Sequence, residues 1–259
     1  MLAVLSPAKT LDMQAAAYGE QAAVRLTKPR DLATSEVIAE LAKTWSVQDL
    51  RQRMGISEKL AELNRQRFSD MEFPQPRGGT VAAVLGFRGD VYRGLDVDHW
   101  TPDEMDYADG HLRILSGLYG VLRPRDAIQA YRLEMGTPIG PGPYETLYQH
   151  WSAKSSKRIA ADVQKSDSDA LLNLASAEYF KSLSALPRKI PVIAPEFLQW
   201  KDGKAKNITV FTKVARGTMA TWVMRNRPRS EADLQTFAED GYRFDAKRSE
   251  PGRPTFVRR

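Results

Sequence analysis

Residues 1–14 read MLAVLSPAKTLDMQ, and the fold turns on the first five. Leu2, Ala3, Val4 and Leu5 form an unbroken apolar run that stops at Ser6 and Pro7, with Lys9, Thr10 and Asp12 following at once. A short continuous apolar run ended by a turn signal is the pattern of a strand buried on both faces, as in a sheet covered by helices. Polar groups placed just beyond such a strand stand where open α/β sheets bind their ligands.

Similar apolar runs at 81–85, 113–115, 171–174, 192–194 and 208–212 predict further buried strands. Helical patterns lie between them at 35–43, 47–54, 58–70, 145–165 and 231–238. Pro102 followed by Asp103 and Glu104 marks another helix start, with proline early and acids in the first turn. The stretch GTPIGPGP at 136–143 is the clearest loop. No repeat, low-complexity segment or linker interrupts this order. The expectation is therefore a single α/β domain over 1–259, of the mixed α+β kind, with a mixed central sheet flanked by helices.

Four of the strand candidates end alike, passing from apolar residues to small ones and then to hydroxyls, phenols or charges. After 81–85 come Gly86, Gly89, Asp90 and Tyr92; after 113–115 come Ser116, Gly117 and Tyr119; after 171–174 come Ala175, Ser176, Glu178 and Lys181. Lys9 and Thr10 are thus expected to face a cleft shared with the other strand ends. Arg132 and Glu134 are two residues apart, so on an extended segment they point the same way, as an ion pair or as a phosphate grip.

Residues 47–70, VQDLRQRMGISEKLAELNRQRFSD, place apolar residues on one face of each of two helices. Gly55, Ile56 and Ser57 between them supply a C-terminal glycine and an N-capping serine. This is the layout of a helix-hairpin-helix, whose second helix offers backbone N–H groups to a nucleic-acid phosphate. Arg51, Arg53, Lys59, Arg65 and Arg67 give the element positive charge, while a plain packing hairpin has the same layout.

The chain is 42% hydrophobic and 27% charged, as in an ordinary globular protein, and carries a net charge of +6. That charge is uneven: residues 181–259 hold 17 Lys/Arg against 8 Asp/Glu. A basic C-terminal third is a footprint for a polyanion as well as a solubilising surface. No apolar run approaches the ~20 residues of a membrane helix, no signal peptide is evident, and there is no cysteine, so a cytoplasmic protein without a membrane partner is expected. The three histidines, His99, His111 and His150, lack metal-binding spacing, so no metal and no cofactor are expected. Trp200 and Trp222 lie near basic residues, where they either stack on bases or pack in the core.

The blocks SPAKTLD (6–12), GDVYRGL (89–95), LSGLYGVLRP (115–124), YRLEMG (131–136), NLASAEYFKS (173–182), KVARG (213–217) and FAEDGYRFD (237–245) together resemble the YaaA family of bacterial peroxide stress resistance proteins. The resemblance implies a single domain with a helix-hairpin-helix and a positively charged DNA-binding cleft. It also implies a role in the peroxide stress response, limiting free intracellular iron and oxidative damage to DNA. Carried over by motif, the cleft takes Lys9 and Thr10, Lys181, Lys213 and Arg216, and the hairpin takes Gly55, Ile56, Ser57 and Lys59. Family members commonly carry an arginine where this chain has Thr221, which removes one phosphate contact from the expected set.

Two functions from different classes remain open. One is a DNA-binding stress protein that grips double-stranded or distorted DNA without sequence preference, Arg132 joining the cations above. The other is an enzyme acting on nucleic acid or a nucleotide, with Lys9, Asp90 and Glu134 as candidate catalytic groups and a phosphate-containing small molecule in the cleft. No reaction-specific motif supports the second, so binding is favoured over catalysis.

Overall fold

The computed structural model describes residues 1–14, 25–76, 78–140 and 145–259. In its first half the elements are β1 (Leu2–Leu5), β2 (Thr10–Leu11), α1 (Leu32–Lys43), α2 (Val47–Met54), α3 (Glu58–Ser69), β3 (Val81–Ala82), α4 (Ala83–Gly86), β4 (Phe87–Arg88), α5 (Asp90–Leu95), α6 (Pro102–His111), β5 (Leu112–Ser116), β6 (Gly120–Leu122) and β7 (Ala127–Ile128). The second half adds α7 (Leu147–Lys165), β8 (Leu171–Asn173), α8 (Ala177–Phe180), β9 (Val192–Ile193), β10 (Glu196–Lys201), β11 (Lys204–Lys206), α9 (Thr209–Asn226), α10 (Glu231–Leu234), β12 (Tyr242–Phe244) and β13 (Thr255–Arg258).

The main sheet has the order β6-β5-β1-β8-β9, parallel except for the hairpin return of β6. β1 is its middle strand, in register with β5 through Ala3 and Leu112 and with β8 through Leu2 and Leu171. All four β1 residues are fully buried, with α6 and α9 packed on the strand. A second sheet, β11-β10-β13-β12, joins strands far apart in the chain, with β10 parallel to β13. Its aromatic side chains Phe197, Tyr242 and Phe256, with Phe237 from the segment after α10, meet mostly edge to face and merge with the main core.

Two strand expectations need correction. Residues 81–85 are a two-residue strand, paired with β7, that turns at once into the single helical turn α4. Residues 208–212 begin α9, with Ile208 as its extended N-cap. Their β-branched side chains suggested a strand, but tertiary contact decides. α9 packs backbone to backbone on α5: a Cβ on Gly217 would lie 1.8 Å from the Val91 carbonyl oxygen, and one on Gly94 would lie 2.0 Å from that of Val214. The expected loop at 136–143 lies partly outside the described residues.

Arg113, within β5, is buried at 4% exposure beside Asp162 of α7. Its Nε donates to Asp162 Oδ2 at 2.7 Å, and Arg30 donates to both carboxylate oxygens at 2.8 Å. Burial pushes the Asp162 carboxyl up, but the hydrogen bonds from Arg30 and Arg113 outweigh it and leave the group below its ordinary value of 3.8. This triad ties α7 to the sheet.

Asp162→Asn is expected to cost about 3–5 kcal/mol, because it strands a buried guanidinium. Denaturant unfolding measures it. The depressed carboxyl stabilises the fold fully above the unfolded value near pH 4, and that contribution disappears as pH falls through the lower folded value. The parent should therefore lose stability below about pH 4 more steeply than Asp162→Asn does. Gly217→Ala is expected to lower stability by at least ~1–3 kcal/mol, since no flexible side chain can move aside for the new methyl group.

Candidate functional site

β5, β1 and β8 end side by side, so three of the four expected strand ends do meet. The Ser6 hydroxyl accepts from the Ser176 backbone N–H at 2.9 Å and donates to Ser176 Oγ at 3.3 Å, tying the ends of β1 and β8. Ser116 Oγ accepts from the N–H of Tyr119 at 2.9 Å and pairs with the Tyr131 hydroxyl at 2.7 Å. The fourth end returns through α5, where the Tyr92 hydroxyl donates to the Ser6 carbonyl at 3.1 Å.

The segment after β7 crosses these strand ends directly above Gly117. A Cβ there would lie 2.4 Å from the Leu133 carbonyl oxygen, so only glycine permits the crossing. It delivers Arg132 and Glu134 opposite Lys9. Arg132 donates to Glu134 Oε1 through Nε at 3.0 Å and Nη2 at 2.8 Å, and Lys9 Nζ stands 3.4 Å from the same oxygen. Lys9 is 68% exposed and Arg132 and Glu134 are each 14% exposed, so the lysine is the outer member. Glu134 Oε2 is buried with no hydrogen-bond partner among the described residues.

Pro7, Ala8, Lys9, Tyr131, Glu134 and Tyr179 surround a pocket here with about 10 Å³ of free space, roughly enough for one water molecule. Burial raises the phenols of Tyr92, Tyr131 and Tyr179 and pushes Tyr119 up to about 12, so all four stay protonated at neutral pH.

A residue that sequence reasoning had placed only in the hairpin joins this group. Arg67, near the end of α3, is half-buried and has no hydrogen bond or carboxylate among the described residues. Burial and the neighbouring positive charge of Arg132 both lower its pKa, without threatening its protonation. Lys9 and Arg132 therefore share one carboxylate, and Arg67 adds an unanswered charge next to Arg132. Arg216, on α9, is likewise half-buried without an acidic partner, its pKa lowered by burial alone.

The other expected residues lie around this centre or away from it. Thr10 is exposed in β2, paired with Arg88. Asp90 opens α5 and is engaged by Arg93 at 3.3 Å rather than by the Lys9 group. Exposed Lys181 lies over the Tyr148 ring at 4.6 Å, and Lys213 is exposed on α9. Thr221 is buried, its hydroxyl bonded to the Leu95 carbonyl and to the Trp100 indole N–H. Trp222 is a core residue packed edge to face on Phe237, whereas Trp200 is exposed.

α2 and α3 are two helices joined by a three-residue turn. Gly55 sits at φ 60°, ψ 44°, a left-handed C-cap, and Ser57 caps α3 by accepting from the Leu60 N–H. Gly55, Ser57 and Lys59 are exposed and Ile56 is half-buried. Arg53 is turned inward, over the Trp45 ring and bonded to the Pro138 carbonyl at 3.0 Å. That bond fixes the hairpin to the segment that follows Glu134.

The acidic stretch around α6 is an ion-paired surface. Arg225 meets Glu104 at 2.9 Å, Arg227 meets Asp103, and Arg125 bridges Asp106 and Asp109 at 2.6 and 2.8 Å. Among the described residues no group of three metal-ligating side chains comes together, and no helix is long and apolar enough to cross a membrane.

The sequence of residues 1–248 matches the family model described as peroxide stress protein YaaA. Relatives named UPF0246 protein match along the whole chain. That of Shewanella amazonensis is 40% identical and is covered over 99% of its length; that of Dinoroseobacter shibae is 42% identical and covered over 95%. A third, from Teredinibacter turnerae, is 39% identical over its full length. The SPAKT, YRLEMG and KVARG blocks thus lie inside a match spanning the whole fold, and the chain belongs to the peroxide stress protein YaaA family.

Proposed function

We propose that this protein acts in peroxide stress as a DNA-binding protein that holds backbone phosphates without sequence preference. The observation that carries the reading is the half-buried guanidinium of Arg67, next to Arg132 and without a partner among the described residues. Charges withdrawn from water without a counter-ion are costly, and an anion from outside relieves that cost. The site stands at the carboxyl ends of parallel strands, where small residues give a ligand close access. The hairpin, fixed nearby through Arg53, offers the exposed start of α3 as a second phosphate contact. The family resemblance adds protection of DNA and lower free intracellular iron as the physiological outcome.

One observation favours the second reading, an enzyme acting on nucleic acid or a nucleotide. Glu134 Oε2 is buried without a donor beside Lys9, as a base awaiting a substrate proton would be. Against it, the pocket holds about one water-sized group, and Lys9 lacks the burial that activates a lysine nucleophile. Binding at the mouth of the pocket fits both facts better.

Affinity for duplex DNA is expected to fall steeply with salt, with a log–log slope of about –0.9 per phosphate contact. Arg67→Gln and Lys59→Glu should each weaken binding to unrelated sequences equally and reduce the slope by about one, with melting temperatures no lower than the parent's. Lys59→Glu tests the hairpin more cleanly than Gly55→Pro, because proline cannot adopt the positive φ of Gly55. Salt-independent affinity, or parental binding by both variants, would overturn the proposal.

A further inference from the structure

The second sheet carries an aromatic side chain that neither the cleft nor the core uses. Trp200 is 41% exposed on β10, whereas Trp45, Trp100, Trp151 and Trp222 are all buried. β10 alternates, sending Phe197 and Gln199 inward and leaving Trp200 on the outer face next to the β10–β11 turn. Arg248 and Arg259 both lie against its ring, at 5.6 and 5.4 Å from guanidinium carbon to ring centroid.

The two arginines differ. Arg248 is fixed by Asp245 at 2.6 Å, while Arg259 has no carboxylate among the described residues. Beside the indole is an open hollow of about 750 Å³, within the size range of sites that hold a small organic group. Arg243, Lys247, Arg248 and Arg259 line it, with Asp245 as the one acid and already engaged by Arg248. Exposed Lys201 and Lys204 continue the positive surface along the adjoining hairpin, where Lys206 is paired with Asp202 at 3.2 Å.

We propose that Trp200, with Arg248 and Arg259, is a stacking site for an unpaired base of a nucleic-acid strand. A flat aromatic face is sequence-tolerant, since every base has a π-face, and guanidinium planes stack on bases as well. The basic lining of the hollow suits the strand's phosphates, while Arg259, held only by the ring, can move to admit the base. A duplex, whose bases are already stacked, gains nothing from the indole. The surface therefore selects single-stranded or locally opened nucleic acid. This rests on the nucleic-acid reading for the class of partner, but on none of the residues of the Lys9 site.

The test measures binding of an oligo-dT strand and of a blunt duplex by the full chain and by Trp200→Ala and Trp200→Phe. As the one exposed tryptophan, Trp200 should supply the part of the fluorescence that oligo-dT quenches. Trp200→Ala should abolish the quenching and lower oligo-dT affinity about tenfold or more, with duplex affinity unchanged; Trp200→Phe should keep most of the affinity. Parental oligo-dT binding by Trp200→Ala, or equal loss on both ligands, would overturn the stacking site. If the duplex fails to bind while oligo-dT still quenches Trp200, the duplex proposal fails and this one stands.

Discussion

The structure depends on the complete burial of β1. With parallel neighbours on both edges and helices packed against it, Leu2 to Leu5 leave no room for a polar side chain, so the chain's first polar groups appear beyond Leu5. β5 and β8 run parallel to it on either side, and their polar continuations emerge at the same end of the sheet. Ser6, Ser116 and Ser176 satisfy backbone and side-chain groups there and draw the strand ends together. The cleft is thus a consequence of sheet burial, and Gly117 keeps it close enough for Arg132 and Glu134 to meet Lys9.

Charge pairing then decides which cations remain for a ligand. Arg113 and Arg30 share Asp162, and the basic turn at 225–229 is largely answered by the acids of α6 and by Asp167. The excess of Lys/Arg in the C-terminal third therefore overstates the polyanion surface on that side. Of the half-buried cations, Arg67 and Arg216 have neither a carboxylate nor a hydrogen bond among the described residues. Two arginines half-removed from water without a counter-ion among the described residues support the proposed anionic partner better than net charge does, because withdrawing an unpaired charge from water is costly.

Much of this was legible in the residues. The apolar run at 2–5, the cap at Ser57 with Gly55 before it, and the long pattern of α7 are local signals, and local structure obeys them. Residues 208–212 misled because β-branching was weighed without the Gly94 and Gly217 contact, which only the fold brings together. The second sheet was missed because β10 and β13 pair across more than fifty residues, a contact no local pattern signals. Arg67 was legible only as part of a basic hairpin; its nearness to Arg132 is tertiary, and the adjoining sequence carries no sign of it. Trp200 and Trp222 stood alike in the sequence, and burial separated them.

The central claim is that charge at the mouth of the cleft, held by Lys9 and its neighbours, grips a phosphate without chemistry. Duplex affinity of Lys9→Ala and Lys9→Arg tests it most directly, alongside protection of cells from peroxide. Arginine keeps the charge but cannot act as an amine nucleophile. The account predicts that Lys9→Ala binds weakly with stability changed by less than ~0.5 kcal/mol, and that Lys9→Arg restores both binding and protection. Parental affinity in Lys9→Ala, or a Lys9→Arg protein that binds DNA and protects nothing, would contradict it.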